Sequence, residues 1–451
     1  MIYYFIMYES YEQLIKETSD ILVIDSTQIT ILDISALQEI VIDKLIYTAV
    51  FTRDNALKKK SRDIIGHIAE AKGIYSCSIH RLYKAFGEEK IKGFTIPALN
   101  IRTLTYDTAR ILFKLAKEKQ IGAWIFEIAR SEMGYTEEQP DEYAAAILAA
   151  AIKEDYQGPI FLQGDHFQFN AKKYKENPQQ EIEAIKALTK EAISAQFYNI
   201  DIDASTLVDL SQENLTKQQE ANYQMTALLT TYIRSLQPKD TMISIGGEIG
   251  HIGDRNSNIE DFKAFMQGYS TRIPKDGISK VSVQTGTSHG GIPLPDGSIA
   301  KIQLDFNVLN TIGRYARETY QIGGAVQHGA STLPPELFHR FVENNTLEIH
   351  LATGFQNLVY DTLPNSLLQE IYSWLKEHAK DEWNKDWSEK QFLYKTRKKA
   401  LGPFKKKIWD LTDREKKPIL DNLRTEFSFL FQQLQIFSTA AIVKPYVQKM
   451  S

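Results

Sequence analysis

Residues 158–204 indicate the fold class most clearly, with GPIFLQGDH (158–166), QQEIEAIKALTKEAISAQ (179–196) and FYNIDIDA (197–204) following one another along the chain. The first and third segments are short, mostly apolar runs, which are typical of strands buried on both faces. The middle segment places apolar residues three and four apart, the spacing of an amphipathic helix. A strand, a crossover helix and a second strand predict neighbouring parallel strands.

The same strand-then-helix unit recurs along the middle of the chain. Strands are predicted at 93–101, 121–129, 158–166, 197–204, 241–249, 278–285, 323–328 and 346–353. Eight such units over about 280 residues match an α/β protein of the (β/α)8 TIM-barrel type in number and length. We predict this barrel over residues 78–362, with an N-terminal α/β extension at 1–77 and a helical C-terminal extension at 363–451. A doubly wound sheet is the alternative, since periodicity does not show closure.

The composition excludes several classes of protein. The 451 residues are 43% hydrophobic and 24% charged, as in an ordinary globular chain, and the net charge of -4 argues against a nucleic-acid binder. The single cysteine, Cys77, rules out an internal disulfide and favours a reducing compartment. No apolar run approaches the roughly 20 residues of a membrane span, and the N-terminus does not resemble a signal peptide. We predict a cytoplasmic protein without a membrane partner.

Residues with metal-ligand chemistry stand at or just after the ends of four predicted strands: His166, Glu248, His289 and His328. Catalytic groups of TIM barrels lie at these C-terminal strand ends. Three imidazoles and a carboxylate are suitable ligands for a divalent transition metal. The sequence therefore predicts a metalloenzyme whose ligands are brought together by the barrel.

The order and spacing of these motifs resemble those of class II, metal-dependent fructose-bisphosphate and tagatose-bisphosphate aldolases, of which this would be a divergent long-chain member. The resemblance covers roughly residues 78–362. Its motifs are GDHFQ (164–168), EIG (248–250), GTSHG (286–290), LDF (304–306) and HGAS (328–331), with weaker matches in IDAS (202–205) and LAT (351–353).

The resemblance implies an aldolase of carbohydrate metabolism such as glycolysis. It would reversibly cleave a phosphorylated ketose, such as fructose 1,6-bisphosphate, to dihydroxyacetone phosphate and an aldehyde through a zinc-stabilised enediolate. One catalytic Zn²⁺, or another divalent metal, would be held by His166, His289 and His328 with Glu248, and Asp165 would exchange a proton with the substrate. The substrate-binding and phosphate-binding residues implied are Asn100, Ser131, Gly290, Gly329, Ala330, Ser331, Thr353 and Gly354. A homodimer or higher homo-oligomer is also expected.

Two departures from the family leave the substrate open. His350 replaces an asparagine of the eighth strand, and the loop after Glu248 lacks the family's glutamate. In that loop His251 or Asp254 is the candidate base, so His251 and His350 join Asp165 as candidate catalytic residues. A non-catalytic sugar-phosphate-binding barrel or partner subunit, and a different zinc-dependent barrel enzyme, are the alternatives.

Other polar residues have structural interpretations. Asp203 and Ser205 could cap a helix as readily as they could serve the site, and Asp305 is expected to be a helix cap. Arg130 adds a cation near the expected substrate entrance. The basic stretch KTRKKALGPFKKKIW (395–409) could attract phosphate or an acidic partner, although a solvated helix face is the commoner explanation. The extensions could cover the barrel's bottom, build an interface or form a lid.

Overall fold

The computed structural model describes residues 7–25, 28–250, 255–286, 294–295 and 304–447. Eleven strands lie in this part of the chain. They are β1 (Leu22–Ile24), β2 (Ile29–Ile31), β3 (Ile74–Ser76), β4 (Ile96–Asn100), β5 (Ile125–Ala129), β6 (Gly158–Gln168), β7 (Asn199–Asp203), β8 (Ser244–Glu248), β9 (Lys280–Val283), β10 (Ala325–Gln327) and β11 (Glu348–Leu351).

Strands β4 to β11 form a closed parallel barrel. Each strand pairs with the next along the chain, and β11 pairs with β4, for example Glu348 with Ile96. The pairing confirms the predicted (β/α)8 barrel and excludes the doubly wound alternative. Strand β3 adds to β6 outside the ring, while β1 and β2 form a separate antiparallel pair.

Helices connect the barrel strands and build both extensions. The α-helices among the described residues are α1 (Tyr11–Thr18), α2 (Ile34–Ala36), α3 (Ile42–Phe51), α4 (Asn55–Ala71), α5 (His80–Gly87), α6 (Thr105–Lys119), α7 (Arg130–Thr136), α8 (Pro140–Lys153), α9 (Ala171–Glu176), α10 (Pro178–Ser194), α11 (Leu215–Gln218), α12 (Glu220–Leu236), α13 (Ile259–Arg272), α14 (Phe306–Tyr320), α15 (His339–Glu343), α16 (Thr353–Thr362), α17 (Asn365–His378), α18 (Glu389–Thr396), α19 (Lys405–Trp409), α20 (Asp413–Gln433) and α21 (Ala440–Val443). Shorter helical turns are Leu37–Val41, Ser205–Leu207, Ala330–Thr332, Pro335–Leu337, Lys380–Glu382, Arg397–Ala400 and Lys444–Tyr446.

Both extensions pack on the outer helices of the barrel. Helices α3 and α4 lie against α8, where Arg62 pairs with Glu142 at 2.7 Å. Helix α20 packs on α6 and α16, and the ring of Trp409 stacks on Tyr106 with their centroids 6.0 Å apart. None of the helices in the described ranges is long and apolar enough to cross a membrane.

Candidate active site

A cavity of about 630 Å³ opens at the C-terminal ends of the barrel strands. Its wall includes Asn100 at the end of β4, Ala129 at the end of β5, and Asp165 and His166 in β6. Gly329 after β10 and His350 in β11 lie on the same wall. The cavity therefore occupies the end of the barrel at which the sequence places its polar residues.

His166 stands at an irregularity of β6. The pairing of β6 with β7 shifts register between Gly164 and Phe167, so that Asp165 and His166 have no partner in β7, although Asp165 stays paired with Ala129 of β5. His166 has φ 40°, a left-handed conformation that is uncommon for a residue with a side chain. Such backbone strain is concentrated at functional sites, where it aims a side chain that a regular strand would point elsewhere.

The two ring nitrogens of His166 face different partners. Its Nε2 faces Nδ1 of His328 at 2.5 Å, and the other nitrogen of His328 lies 3.0 Å from Ser282 Oγ. Its Nδ1 lies 3.1 Å from both Asp203 Oδ2 and Glu248 Oε2. Glu248 therefore contacts the edge of the imidazole that faces away from His328.

The donor atoms of this cluster fit a divalent transition metal. Those of Asp165, His166 and His328 lie within 4.8 Å of one another, and so do those of His166, Asp203 and Glu248. Imidazole nitrogens and carboxylate oxygens are the ligands that Zn²⁺ and similar ions take. Asp203 also fits an orienting role, since metal-binding histidines usually direct their second nitrogen at a carboxylate.

Electrostatics separates the carboxylates around His166. Burial and the neighbouring charge of Asp203 raise the pKa of Glu248 to about 7. Burial alone would raise the pKa of Asp165, but the charges of His166 and His350 outweigh it and hold that pKa well below its usual range. Asp165 is thus ionised at neutral pH.

In the deep part of the cavity wall, His350 is surrounded by carboxylates. Its Nδ1 lies 3.0 Å from Glu127 Oε2 and 3.2 Å from Asp165 Oδ1, and its Nε2 lies 2.6 Å from Glu348 Oε1. Although burial disfavours its charged form, Glu127 and Asp165 raise the pKa of His350 well above its usual value. His350 is therefore an imidazolium whose two nitrogens face carboxylates.

A buried lysine continues this charged layer across the barrel. Lys280 Nζ contacts Gln163 Oε1 at 2.8 Å, Asp201 Oδ2 at 2.9 Å and Glu348 Oε1 at 2.5 Å. Its side chain is 1% exposed. TIM-barrel interiors are usually filled by branched apolar residues, so an ionic layer below the cavity is a particular feature of this chain.

The comparisons with known proteins bear directly on this site. The family model for class-II fructose-bisphosphate aldolase matches residues 81–412. The chain belongs to this family. Class II aldolases are typically metal-dependent, in agreement with the donor cluster at His166. No curated protein shows significant sequence similarity to the chain.

Solved structures with TM-scores above 0.5 share the fold of this aldolase-family chain at low identity. The fructuronate-tagaturonate epimerase of Cohnella laeviribosi is 12% identical, with a TM-score of 0.56, over 93% of this chain and 90% of that one. A probable tagatose 6 phosphate kinase from Sinorhizobium meliloti is 14% identical, with a TM-score of 0.51, over 78% and 93%. A fructose-bisphosphate aldolase from Campylobacter jejuni is 16% identical, with a TM-score of 0.49, over 80% and 96%.

The structure brings most of the predicted substrate-binding residues of this family member to one cavity. The predicted positions that line it are Asn100, Ser131, Gly329, Ser331 and Thr353. Ala330 and Gly354 lie beside lining residues, and a Cβ atom at Gly354 would be 3.2 Å from the carbonyl oxygen of Ser331. The predicted ligand His289, the predicted phosphate-binding Gly290, and the loop candidates His251 and Asp254 lie outside the described residues.

The polar residues with open interpretations also have definite partners. Asp203 contacts residues of both kinds: its Oδ1 accepts from the amide and hydroxyl of Ser205, while its Oδ2 faces His166. Asp305 caps α14, as predicted, by accepting from the amide of Asn307. Arg130 lines the cavity but is paired with Glu181 at 2.5 Å.

Several lining residues were not among the predicted site residues. Arg102 binds Glu132 at 2.6 Å, and Glu132 also accepts a hydrogen bond from the Asn100 amide at 2.5 Å. The C-terminal extension contributes Lys395 and Lys398. The basic stretch at 395–409 was the available signal for the lysines, whereas no motif marks Arg102 or Glu132.

Proposed function

We propose that this chain is a metal-dependent aldolase that reversibly cleaves a phosphorylated ketose, such as fructose 1,6-bisphosphate, to dihydroxyacetone phosphate and an aldehyde. The observation that carries the proposal is the placement of the Asp165 carboxylate beside the donor atoms of His166 and His328 in one cavity. Membership of the class II aldolase family supports the same reaction type.

His166 and His328 would hold the metal, with Glu248 as a further candidate ligand and His289 as the remaining predicted one. Zinc is the ion that this donor set favours. When bound, such an ion supplies Lewis-acid polarisation of the ketose carbonyl. The carboxylate of Asp203 would fix the orientation of His166 through the 3.1 Å contact to its Nδ1.

Asp165 is the proposed general base of the cleavage. Its carboxylate would accept the proton of the substrate hydroxyl that becomes the aldehyde. The O–H electron pair then forms the new carbon–oxygen double bond, and the electron pair of the breaking carbon–carbon bond passes to the ketose fragment. That fragment must later gain a proton, for which His251 or Asp254 of the loop after Glu248 is the candidate donor.

His350 is best assigned a positioning role. Because its Nδ1 lies 3.2 Å from Asp165 Oδ1, its charge stabilises the ionised carboxylate. Glu127 and Glu348 keep the imidazole in place at 3.0 and 2.6 Å. His350 would thus affect the reaction by keeping the Asp165 carboxylate ionised and in position.

The proposed phosphate site lies where β10 and β11 end. Gly329 has φ 72°, which a glycine adopts readily, and it leads into the Ala330–Thr332 turn. The hydroxyl of Ser331 accepts a hydrogen bond from the Ala352 amide at 2.7 Å, and this bond ties the turn to the start of α16. Thr353 and Gly354 open that helix, whose N-terminus favours an anion.

A substrate screen tests the proposal. Metal-loaded protein is incubated with ketose mono- and bisphosphates, and released triose phosphate is measured. Asp165→Asn should lower kcat by roughly 10²- to 10⁴-fold, the usual contribution of a general base. The exposed Asp421 of α20, exchanged in the same way, is the control and should leave kcat unchanged.

The screen also separates the competing functions. If the protein binds metal stoichiometrically and sugar phosphates but cleaves none, it is a non-catalytic binding barrel. Hydrolysis without triose phosphate would identify a different metal-dependent enzyme. Because the structure that aligns over 93% of the chain is a fructuronate-tagaturonate epimerase, the screen includes both of those sugars, with their interconversion as the readout.

A further inference from the structure

The C-terminal extension contributes part of the cavity wall. Tyr394 and Lys395 of α18, with Lys398 of the following turn Arg397–Ala400, line the same space as Asp165. These residues follow β11, the last barrel strand, by more than one helix. The extension is therefore part of the site as well as an outer layer of the fold.

Arg397 anchors this segment to the barrel. Its buried guanidinium lies 5.0 Å from the ring centre of Tyr360 and 4.6 Å from that of Tyr394, and it donates a hydrogen bond to Asn357. Its carbonyl oxygen accepts from the Tyr360 hydroxyl at 2.6 Å. Because Tyr360 and Asn357 belong to α16, the segment is fixed to the helix that opens at the proposed phosphate site.

A second anchor holds the other end of the segment. The Gly402 amide donates to the Tyr135 carbonyl at 2.9 Å, and a Cβ atom at Gly402 would lie 2.8 Å from that oxygen. This close approach requires glycine and joins the segment to α7. Lys395 and Lys398 are thus presented from a segment fixed at both ends.

The charge of the cavity wall is positive near this segment. Among the described lining residues, five carry a cationic guanidinium or ammonium group and three carry a carboxylate. Two of the carboxylates, Glu127 and Asp165, face His350 in the deep part of the cavity. Burial lowers the pKa of Lys398, and the nearby charge of Arg102 lowers it further, although Glu132, which pairs with Arg102, acts in the opposite direction.

We propose that Lys395 and Lys398, together with Arg102, form a binding site for an oxyanion group of the substrate, either a phosphate ester or a carboxylate. Mutual repulsion of the clustered cations is relieved when an anion binds between them. The identity of the oxyanion as a substrate group rests on the aldolase function proposed above. The existence of an anion site rests only on the placement of the three cations.

The test compares the double variant Lys395→Gln, Lys398→Gln with Lys399→Gln. Lys399 carries the same charge on the same turn, but it pairs with Glu382 and is absent from the described cavity lining. Inorganic phosphate is titrated calorimetrically into protein samples of equal metal content. The dissociation constant of one phosphate site should rise at least tenfold in the double variant, since a hydrogen bond to a charged group contributes about 1.5–3 kcal/mol, while that of the site proposed at β10 and β11 should stay unchanged. Lys399→Gln should match the wild type.

Equal phosphate affinity in the double variant and in Lys399→Gln, with both folded by circular dichroism, would overturn the anion site. Lysine-dependent phosphate binding without cleavage of any ketose would sustain the site and reject the aldolase function. Titrations with fructose 6-phosphate and fructuronate distinguish the two oxyanions. The sugar for which the double variant loses more affinity carries the oxyanion that the site prefers. Unchanged affinity for both sugars would reject a role of the site in substrate binding.

Discussion

The ionic layer inside the barrel gives a stability prediction of definite size. Lys280→Met replaces the buried ammonium group by a thioether of similar length, so that Asp201 loses its 2.9 Å partner and Glu348 keeps only His350 as a close cation. The lysine makes two charge-assisted hydrogen bonds to these carboxylates, at 2.9 and 2.5 Å, each worth about 1.5–3 kcal/mol. The sum agrees with the roughly 3–5 kcal/mol lost when one partner of a buried ion pair is removed. We expect the free energy of unfolding to fall by about 4 kcal/mol.

Urea unfolding at pH 7, followed by tryptophan fluorescence, measures this loss. Lys263→Met is the matched control, because Lys263 pairs with Glu260 at 2.9 Å on the surface and should lose less than about 1 kcal/mol. Adding Glu348→Gln to Lys280→Met removes the stranded charge and should recover part of the stability. A loss of free energy of unfolding below about 1 kcal/mol for Lys280→Met alone would show that the ionic layer does not depend on this cation.

Two further predictions concern the metal and the pH dependence of stability. Asp203→Asn should weaken binding of a divalent metal by roughly 10- to 100-fold in chelator competition, because His166 loses its orienting carboxylate, and an unchanged affinity would contradict that role. Burial raises the pKa of Glu138 to about 7 from its ordinary value of 4.5, so the folded state loses stability as pH rises through this window. Glu138→Gln should therefore raise the free energy of unfolding by about 3 kcal/mol at pH 8 and change it little at pH 4. Urea unfolding at the two pH values measures this difference. Equal effects at both pH values would exclude titration of Glu138 as the cause.

The strands and helices of the barrel were predictable because the spacing of apolar residues within each segment indicates its secondary structure. The segment 158–166 predicts a buried strand, and the structure has Gly158–Gln168. Closure of the barrel could not be predicted from local sequence, since the pairing of Glu348 with Ile96 joins the last barrel strand to the first. Closure was predicted only indirectly, because eight strand-then-helix units are the number that forms a (β/α)8 barrel.

The residues of the candidate site were predictable where they lie at the C-terminal ends of strands. Asp165 and His166 stand where the sequence placed them, yet the contact between Asp203 and His166 depends on the irregular register of β6 against β7. Lys280 and Glu348 are strand residues in the sequence, and only closure of the ring brings them together. The extension lysines were visible as a basic stretch, but their direction depends on the anchors at Arg397 and Gly402.

The ionic layer offers a physical reason for the departure at position 350. Where the resembled family has an asparagine, this chain places His350 within 3.2 Å of carboxylate oxygens from Glu127, Glu348 and Asp165. A neutral amide there could donate hydrogen bonds but could not compensate the buried negative charge, whereas an imidazolium does both. With Lys280 already between Asp201 and Glu348, the second cation is needed on the side that faces the cavity. The histidine and the surrounding acids therefore form one electrostatic unit, which acts together with His166 to lower the pKa of Asp165.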